Sequence, residues 1–125
     1  MDLIRELLLK LEDLCQKADS VLVIKKDSEE LQVDGYNSEQ IGYHLSLLRE
    51  ARLILPDKGG TTRGMYFQGL SWSGHDFVDS VRDPEVWSKA KSGARQAGGF
   101  TLELMKDLAL GFIKKKIKEQ TDIEL

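Results

Sequence analysis

The sequence predicts an α+β fold, with helices around a small antiparallel sheet and a helical extension at the C-terminal end. Three observations predict it. Residues 37–55, NSEQIGYHLSLLREARLIL, read as one capped amphipathic helix that runs directly into a strand. The following PDKGGTTRGMYFQGLSW reads as a glycine-bearing loop and a returning strand, so helix gives way to hairpin. After Asp83-Pro84 the apolar pattern is helical throughout. That dipeptide divides a mixed core, residues 1–82, from an extension, residues 83–125, which packs on the core or on a second subunit.

The bulk numbers suit a soluble globular protein. A chain of 125 residues, 41% hydrophobic and 31% charged, can bury a core of its own. The single cysteine, Cys15, rules out an intrachain disulfide and a multi-cysteine zinc site, and it favours the cytosol. The opening Met-Asp-Leu-Ile-Arg-Glu is acidic and amphipathic, unlike a signal peptide. No apolar run approaches the roughly 20 residues of a membrane span. A cytoplasmic protein without membrane contact is expected. The net charge of −3 argues mildly against general nucleic-acid binding, which draws on basic residues. The charge is uneven, however. Residues 1–35 hold five Lys/Arg and nine Asp/Glu (−4), whereas residues 89–119 hold eight and three (+5).

Taken in order, the first element is a helix from Asp2 to Lys17, with Ile4, Leu7, Leu8, Leu11, Leu14 and Cys15 at helical spacing. Cys15 on that stripe reads as a small core residue. Val21–Ile24 reads as a strand, and Leu31 and Val33 as a second one paired with it in a hairpin. Asp34-Gly35 makes a turn. Asn37 caps the central helix with Gln40 three residues on, and Ile41, Leu45, Leu48 and Ala51 form its inward face. Gly42 leaves a gap in its side-chain surface. Leu53–Leu55 begins a strand, residues 58–64 form the loop tip, and Met65–Leu70 returns.

Ser71 caps a helix through Phe77, Val78 and Val81. Asp83-Pro84 starts another, which stops at Gly98-Gly99. Thr101 caps the last helix, whose apolar residues cover well over half its circumference. So broad a face predicts two packing partners, one of them from another subunit.

A helix followed by a hairpin is the second half of a winged helix, and HLSLLREARLI with its glycine-bearing hairpin resembles a recognition helix and wing. More of the chain is similar to a bacterial and prophage domain-of-unknown-function family, family 2513, through MDLIRELLLKLE, GYNSEQIGYHLSLLREARLI, LSWSGHDFVDSVRDPEVWSKAK and GGFTLELMKDLALGFIKKKI. The resemblance implies a winged-helix-like fold with phage or mobile-element association, and no established activity. Two positions depart from the repressor pattern. Arg52 stands where glycine commonly takes a left-handed cap, and residues 21–34 read as strand and turn where a helix usually precedes the recognition helix.

On that fold the residues placed to touch a duplex are Ser38, Gln40, Tyr43, Ser46 and Arg49 on the helix, with Lys58 and Arg63 on the wing. Gln40 suits an adenine edge, Arg49 a phosphate, and Tyr43 a phosphate or sugar. Glu39 would face phosphates without an evident partner. Lys114, Lys115, Lys116 and Lys118 read first as a solvated helix end and second as a contact for nucleic acid or a partner. His44 borders the core face and reads as a buried, hydrogen-bonded histidine. Ser71, Ser73, His75 and Asp76 radiate around one helix and make no catalytic triad. Trp72 and Trp87 read as core anchors. No enzyme, cofactor or metal site is predicted. Two functions remain open: a homodimeric DNA-binding regulatory protein, joined through its first and last helices, and a protein-interaction module that engages a host or phage protein.

Overall fold

The computed structural model describes residues 2–14, 22–55 and 64–121, and the chain divides into two compact units, Met1–Asp76 and Phe77–Leu125. Among the described residues there are five α-helices and four short antiparallel strands, so the expected α+β class is the one that forms. Cys15 and Val21, and residues 56–63 with Lys58 and Arg63, lie outside the described residues.

In the first unit α1 (Asp2–Leu14) buries Leu3, Ile4, Leu7, Leu8 and Leu11. Two adjacent pairs in that set widen the buried arc beyond a narrow stripe. The helix therefore meets a 3-10 turn (Glu29–Leu31), α2 (Ser38–Glu50) and β4 (Gly69–Leu70) together. From α2 the core receives Ile41, Leu45 and Leu48, as the periodicity predicts, whereas Ala51 is the exposed cap residue.

The strands pair across long sequence distances. β1 (Leu22–Ile24) runs antiparallel to β3 (Met65–Phe67), with Leu22 opposite Phe67, Val23 opposite Tyr66 and Ile24 opposite Met65. β2 (Ile54–Leu55) pairs with β4, Ile54 opposite Leu70 and Leu55 opposite Gly69. The returning strand is thus split at Gln68, whose N–H donates to the Leu55 carbonyl at 2.7 Å. Side-chain alternation sends Ile24, Phe67, Ile54 and Leu70 inward and leaves Val23, Tyr66 and Leu55 exposed.

The expected hairpin between residues 21–24 and Leu31–Val33 does not form. Glu29–Leu31 is a 3-10 turn, with Leu31 N–H donating to Ser28 O at 3.0 Å and Gln32 N–H to Glu29 O at 3.3 Å. The Gln32 carboxamide donates to the carbonyls of Lys26 and Ser28 at 3.2 and 2.9 Å, and Ser28 Oγ accepts from Lys25 N–H at 3.0 Å. Polar side chains here satisfy the backbone locally and remove the need for a ladder. Leu31 is fully buried by the turn, and β1 pairs with β3 instead.

Both ends of α2 are closed. At the start Gln40 N–H donates to Asn37 Oδ1 and Asn37 N–H to Gln40 Oε1, each at 2.9 Å, completing the expected capping box. At the finish Arg52 adopts φ 60°, with Arg52 N–H on Arg49 O and Leu53 N–H on Leu48 O, both at 3.0 Å. That is a Schellman turn with arginine in the left-handed position, and its apolar pair, Leu48 and Leu53, is buried. Ser71 then caps α3 (Trp72–Val81), accepting from Gly74 N–H at 3.0 Å while its hydroxyl donates to Arg52 O at 2.6 Å. A Cβ on Gly74 would lie 2.1 Å from the Leu53 carbonyl oxygen, so glycine is what lets α3 begin against the Leu53 backbone.

The second unit is a helical hairpin. α4 (Pro84–Ala97) starts on Asp83, whose carboxylate accepts from Glu85 N–H at 2.8 Å and Val86 N–H at 3.4 Å. It ends at Gly98, φ 87°, with Gly99 N–H on Ala94 O at 3.1 Å. α5 (Leu102–Thr121) is capped by Thr101 Oγ1, which accepts from Leu104 N–H at 3.0 Å. Val86, Trp87, Ala90 and Ala94 of α4 are buried, as are Met105 and Ala109 of α5. The remaining large apolar residues of α5 are half-buried.

Candidate functional site

Of the α2 residues marked out for a duplex, Tyr43 and Ser46 lie opposite Ile41, Leu45 and Leu48, whereas Ser38 and Arg49 flank that buried face. Tyr43 is 63% exposed, Ser46 is exposed, and Ser38 and Arg49 are half-buried. Gln40 is exposed but occupied, because its Oε1 is the acceptor of the capping box. A bidentate adenine contact uses both ends of the carboxamide, so Gln40 could make one only by giving up the cap. Ser46 Oγ donates to Gly42 O at 3.2 Å. His44 is half-buried, its Nδ1 lies 2.8 Å from Gln40 O, and its ring meets Tyr43 edge-on with centroids 5.7 Å apart. The backbone bond is as expected, whereas the expected burial is not reached, because the ring lies at the edge of the core face beside exposed Tyr43.

Glu39 is not without a partner. The Lys26 ammonium forms an ion pair with its carboxylate. Gly42 makes this possible, because a Cβ there would stand 2.9 Å from Lys26 Cβ. The glycine gap in α2 is therefore where the turn after β1 crosses the helix. Lys26 is not among the residues that the sequence marks out. The signal was nevertheless present, in a glycine three positions after an outward glutamate on one helix face. The same turn also carries exposed Lys25, Asp27, Glu29 and Glu30.

Trp72 corrects an expectation. It is 84% exposed at the first turn of α3 and anchors no core, whereas Trp87 is buried as expected. The Ser71 cap faces Arg52 O and Gly74 N–H, so its backbone geometry explains why Trp72 begins the helix outside the apolar stripe of Phe77, Val78 and Val81. Ser71 Oγ is thereby committed to the cap, and His75 Nδ1 lies 4.0 Å from Glu12 Oε2. Among the described residues no three of His, Cys, Asp or Glu stand close enough together to hold a metal, and no helix is long and apolar enough to cross a membrane.

The C-terminal lysines do not act as one group. Lys116 Nζ donates to Asp83 Oδ2 at 3.0 Å, joining the end of α5 to the start of α4. The Lys116 hydrogen bond, followed by those from Glu85 and Val86 N–H, holds the Asp83 carboxyl below the usual aspartate value, and Asp83 raises Lys116 in return. Lys115 and Lys116 line a shallow cleft of about 270 Å³ with Lys89, Glu85, Glu119, Val86 and Phe112. Its mixed charge does not suit a strong anion. Lys114 and Lys118 are exposed.

With this geometry in hand, comparison with known sequences is informative about kinship. Residues 1–100 match the model of a family described as Hypothetical protein (DUF2513). The chain belongs to that family. The DUF2513 match takes in the first unit, α3 and α4, and it ends before α5. The chain is also similar to an "Uncharacterized protein" of Haemophilus influenzae, at 29% identity over 119 residues, covering 93% of this chain and 95% of that one. No solved structure matches the chain.

Proposed function

We propose that this DUF2513 protein is a DNA-binding regulatory protein with a winged-helix-like core. One observation carries the reading. The chain runs helix, strand, short turn, helix, strand and returning strand, and β1 and β2 pair with the two halves of that returning strand. The 3-10 turn stands where a winged helix has the helix before its recognition helix, and α2, closed at both ends, turns Tyr43 and Ser46 to solvent. In the sequence, Lys58 and Arg63 fall between β2 and β3, the position that a wing would occupy. The family resemblance adds phage or mobile-element association to the proposal, and the single cysteine adds a cytoplasmic setting.

A duplex titration at two salt concentrations, run with light scattering, tests it. Binding should weaken as salt rises and should fall with Arg49→Ala, Lys58→Ala or Arg63→Ala. A homodimer would scatter at twice 14.1 kDa. No binding at low salt, or binding indifferent to all three substitutions, rejects the proposal.

A second reading, a protein-interaction module engaging a host or phage protein, draws on a different observation. Leu22, Val23, Leu55, Tyr66 and Trp72 are all exposed large apolar residues of the first unit, and such groups are common at protein interfaces. Absence of duplex binding at low salt favours this reading.

A further inference from the structure

We infer that Lys26 is a phosphate-contacting residue of the duplex interface and that Glu39 competes with the duplex for it. The inference rests on the DNA-binding reading and adds to it a cation and a means of restraint.

The turn carrying Lys26 is built into position. Its backbone is held by Gln32 on Lys26 O and Ser28 O and by Ser28 Oγ on Lys25 N–H. Gly42 admits the Lys26 stem onto α2, where any larger residue would push it away. The cation thereby arrives beside Glu39 on α2, although it lies 13 positions earlier in the chain. The ion pair that receives it is open to water, with side chains 50% and 79% exposed for Lys26 and Glu39. Exposed pairs of this kind contribute little to stability and exchange readily. A phosphate oxygen offers the ammonium an equivalent charge-assisted bond. Release of Lys26 also leaves the Glu39 carboxylate near the phosphates, so the same glutamate opposes binding by repulsion.

Two consequences separate this arrangement from a merely acidic surface. Removing the Glu39 charge should tighten binding through Lys26, and when Lys26 is absent the gain should shrink to that of losing a nearby negative charge. The number of phosphate contacts should also rise. Each neutralised phosphate steepens the dependence of log affinity on log salt by about 0.9 for B-form DNA.

The test is a fluorescence-anisotropy titration of a labelled duplex across a salt series, using the full chain, Lys26→Ala, Glu39→Gln, the two combined, and Glu50→Gln. Glu50 is an exposed carboxylate at the last position of α2 and reports the generic effect of losing a negative charge. Thermal melts confirm that each variant folds. Glu39→Gln should raise affinity several-fold more than Glu50→Gln and steepen the salt slope by close to one phosphate. Lys26→Ala should weaken binding, and should cost more in the Glu39→Gln background than alone. If Glu39→Gln tightens binding equally with and without Lys26, or if Lys26→Ala alters neither affinity nor slope of a chain that binds, the inference fails and the DNA-binding reading stands. If no protein in the series binds at low salt, both fall together.

Discussion

Arg52 holds a left-handed backbone conformation, φ 60°, among the described residues the one non-glycine position with positive φ. The surrounding turn fixes it there. Its N–H and that of Leu53 close the end of α2, its carbonyl receives the Ser71 hydroxyl, and the Leu48 and Leu53 side chains are buried on either side. A Cβ in this region crowds the backbone, a cost that glycine avoids, although glycine also gains freedom in the unfolded chain. The balance for Arg52→Gly should be a stabilisation of about 0.5–1 kcal/mol. Urea denaturation would read this as a higher midpoint with an unchanged slope. A lower midpoint would mean that the Arg52 side chain makes a stabilising contact larger than the strain it brings. That arginine persists in a glycine position was visible in the sequence, because the helix before it ends so clearly. The Lys26–Glu39 pair was not, since two residues 13 apart meet only after β1 and the turn have been placed.

At the scale of elements, capping decides where most helices begin and end, and one cap carries a measurable charge. Asp83 accepts the first N–H groups of α4 and also the Lys116 ammonium from the far end of α5. Lys116 and the two N–H groups keep its folded-state pKa below the ordinary 3.8. The charge therefore contributes stability that is present above 3.8 and lost as pH falls through the lower folded value. Lys116, raised above 10.5, contributes below that value and loses its contribution as pH rises through the raised one. Asp83→Asn keeps a competent capping oxygen and removes the charge. Melting temperatures of the two proteins should differ near neutrality and converge as pH drops below 3.8. A gap that persists unchanged through that range would assign the difference to packing.

These caps are local, which is why Asn37, Ser71, Asp83, Gly98 and Thr101 could all be read from neighbouring residues. Strand pairing is not local. Leu31 and Val33 alternate with polar residues and fit a strand on pattern alone, yet Gln32 and Ser28 fold that stretch into a turn. Trp72 misled for a related reason: composition favours burying tryptophan, and only the direction in which α3 leaves Ser71 puts it in water.

At the scale of the whole molecule the charge is −3, and the positive excess gathers in residues 89–119. A polyanion is repelled by the total and attracted by the local excess, and salt separates the two contributions. At about 0.01 M ionic strength charges act over roughly 30 Å, whereas at about 0.15 M they act over roughly 8 Å. Changing Lys114, Lys115 and Lys118 to Gln takes the net charge from −3 to −6, and leaves Lys116 on Asp83. If α5 ends in a solvated run of lysines, the triple variant should bind a duplex more weakly than the parent at low salt. The two should approach one another by about 0.15 M. If Arg49 contacts the duplex as proposed, Arg49→Ala should behave differently, because a direct contact keeps its effect when long-range attraction is screened. A lysine effect that survives undiminished at the higher salt would instead make the end of α5 part of the binding surface.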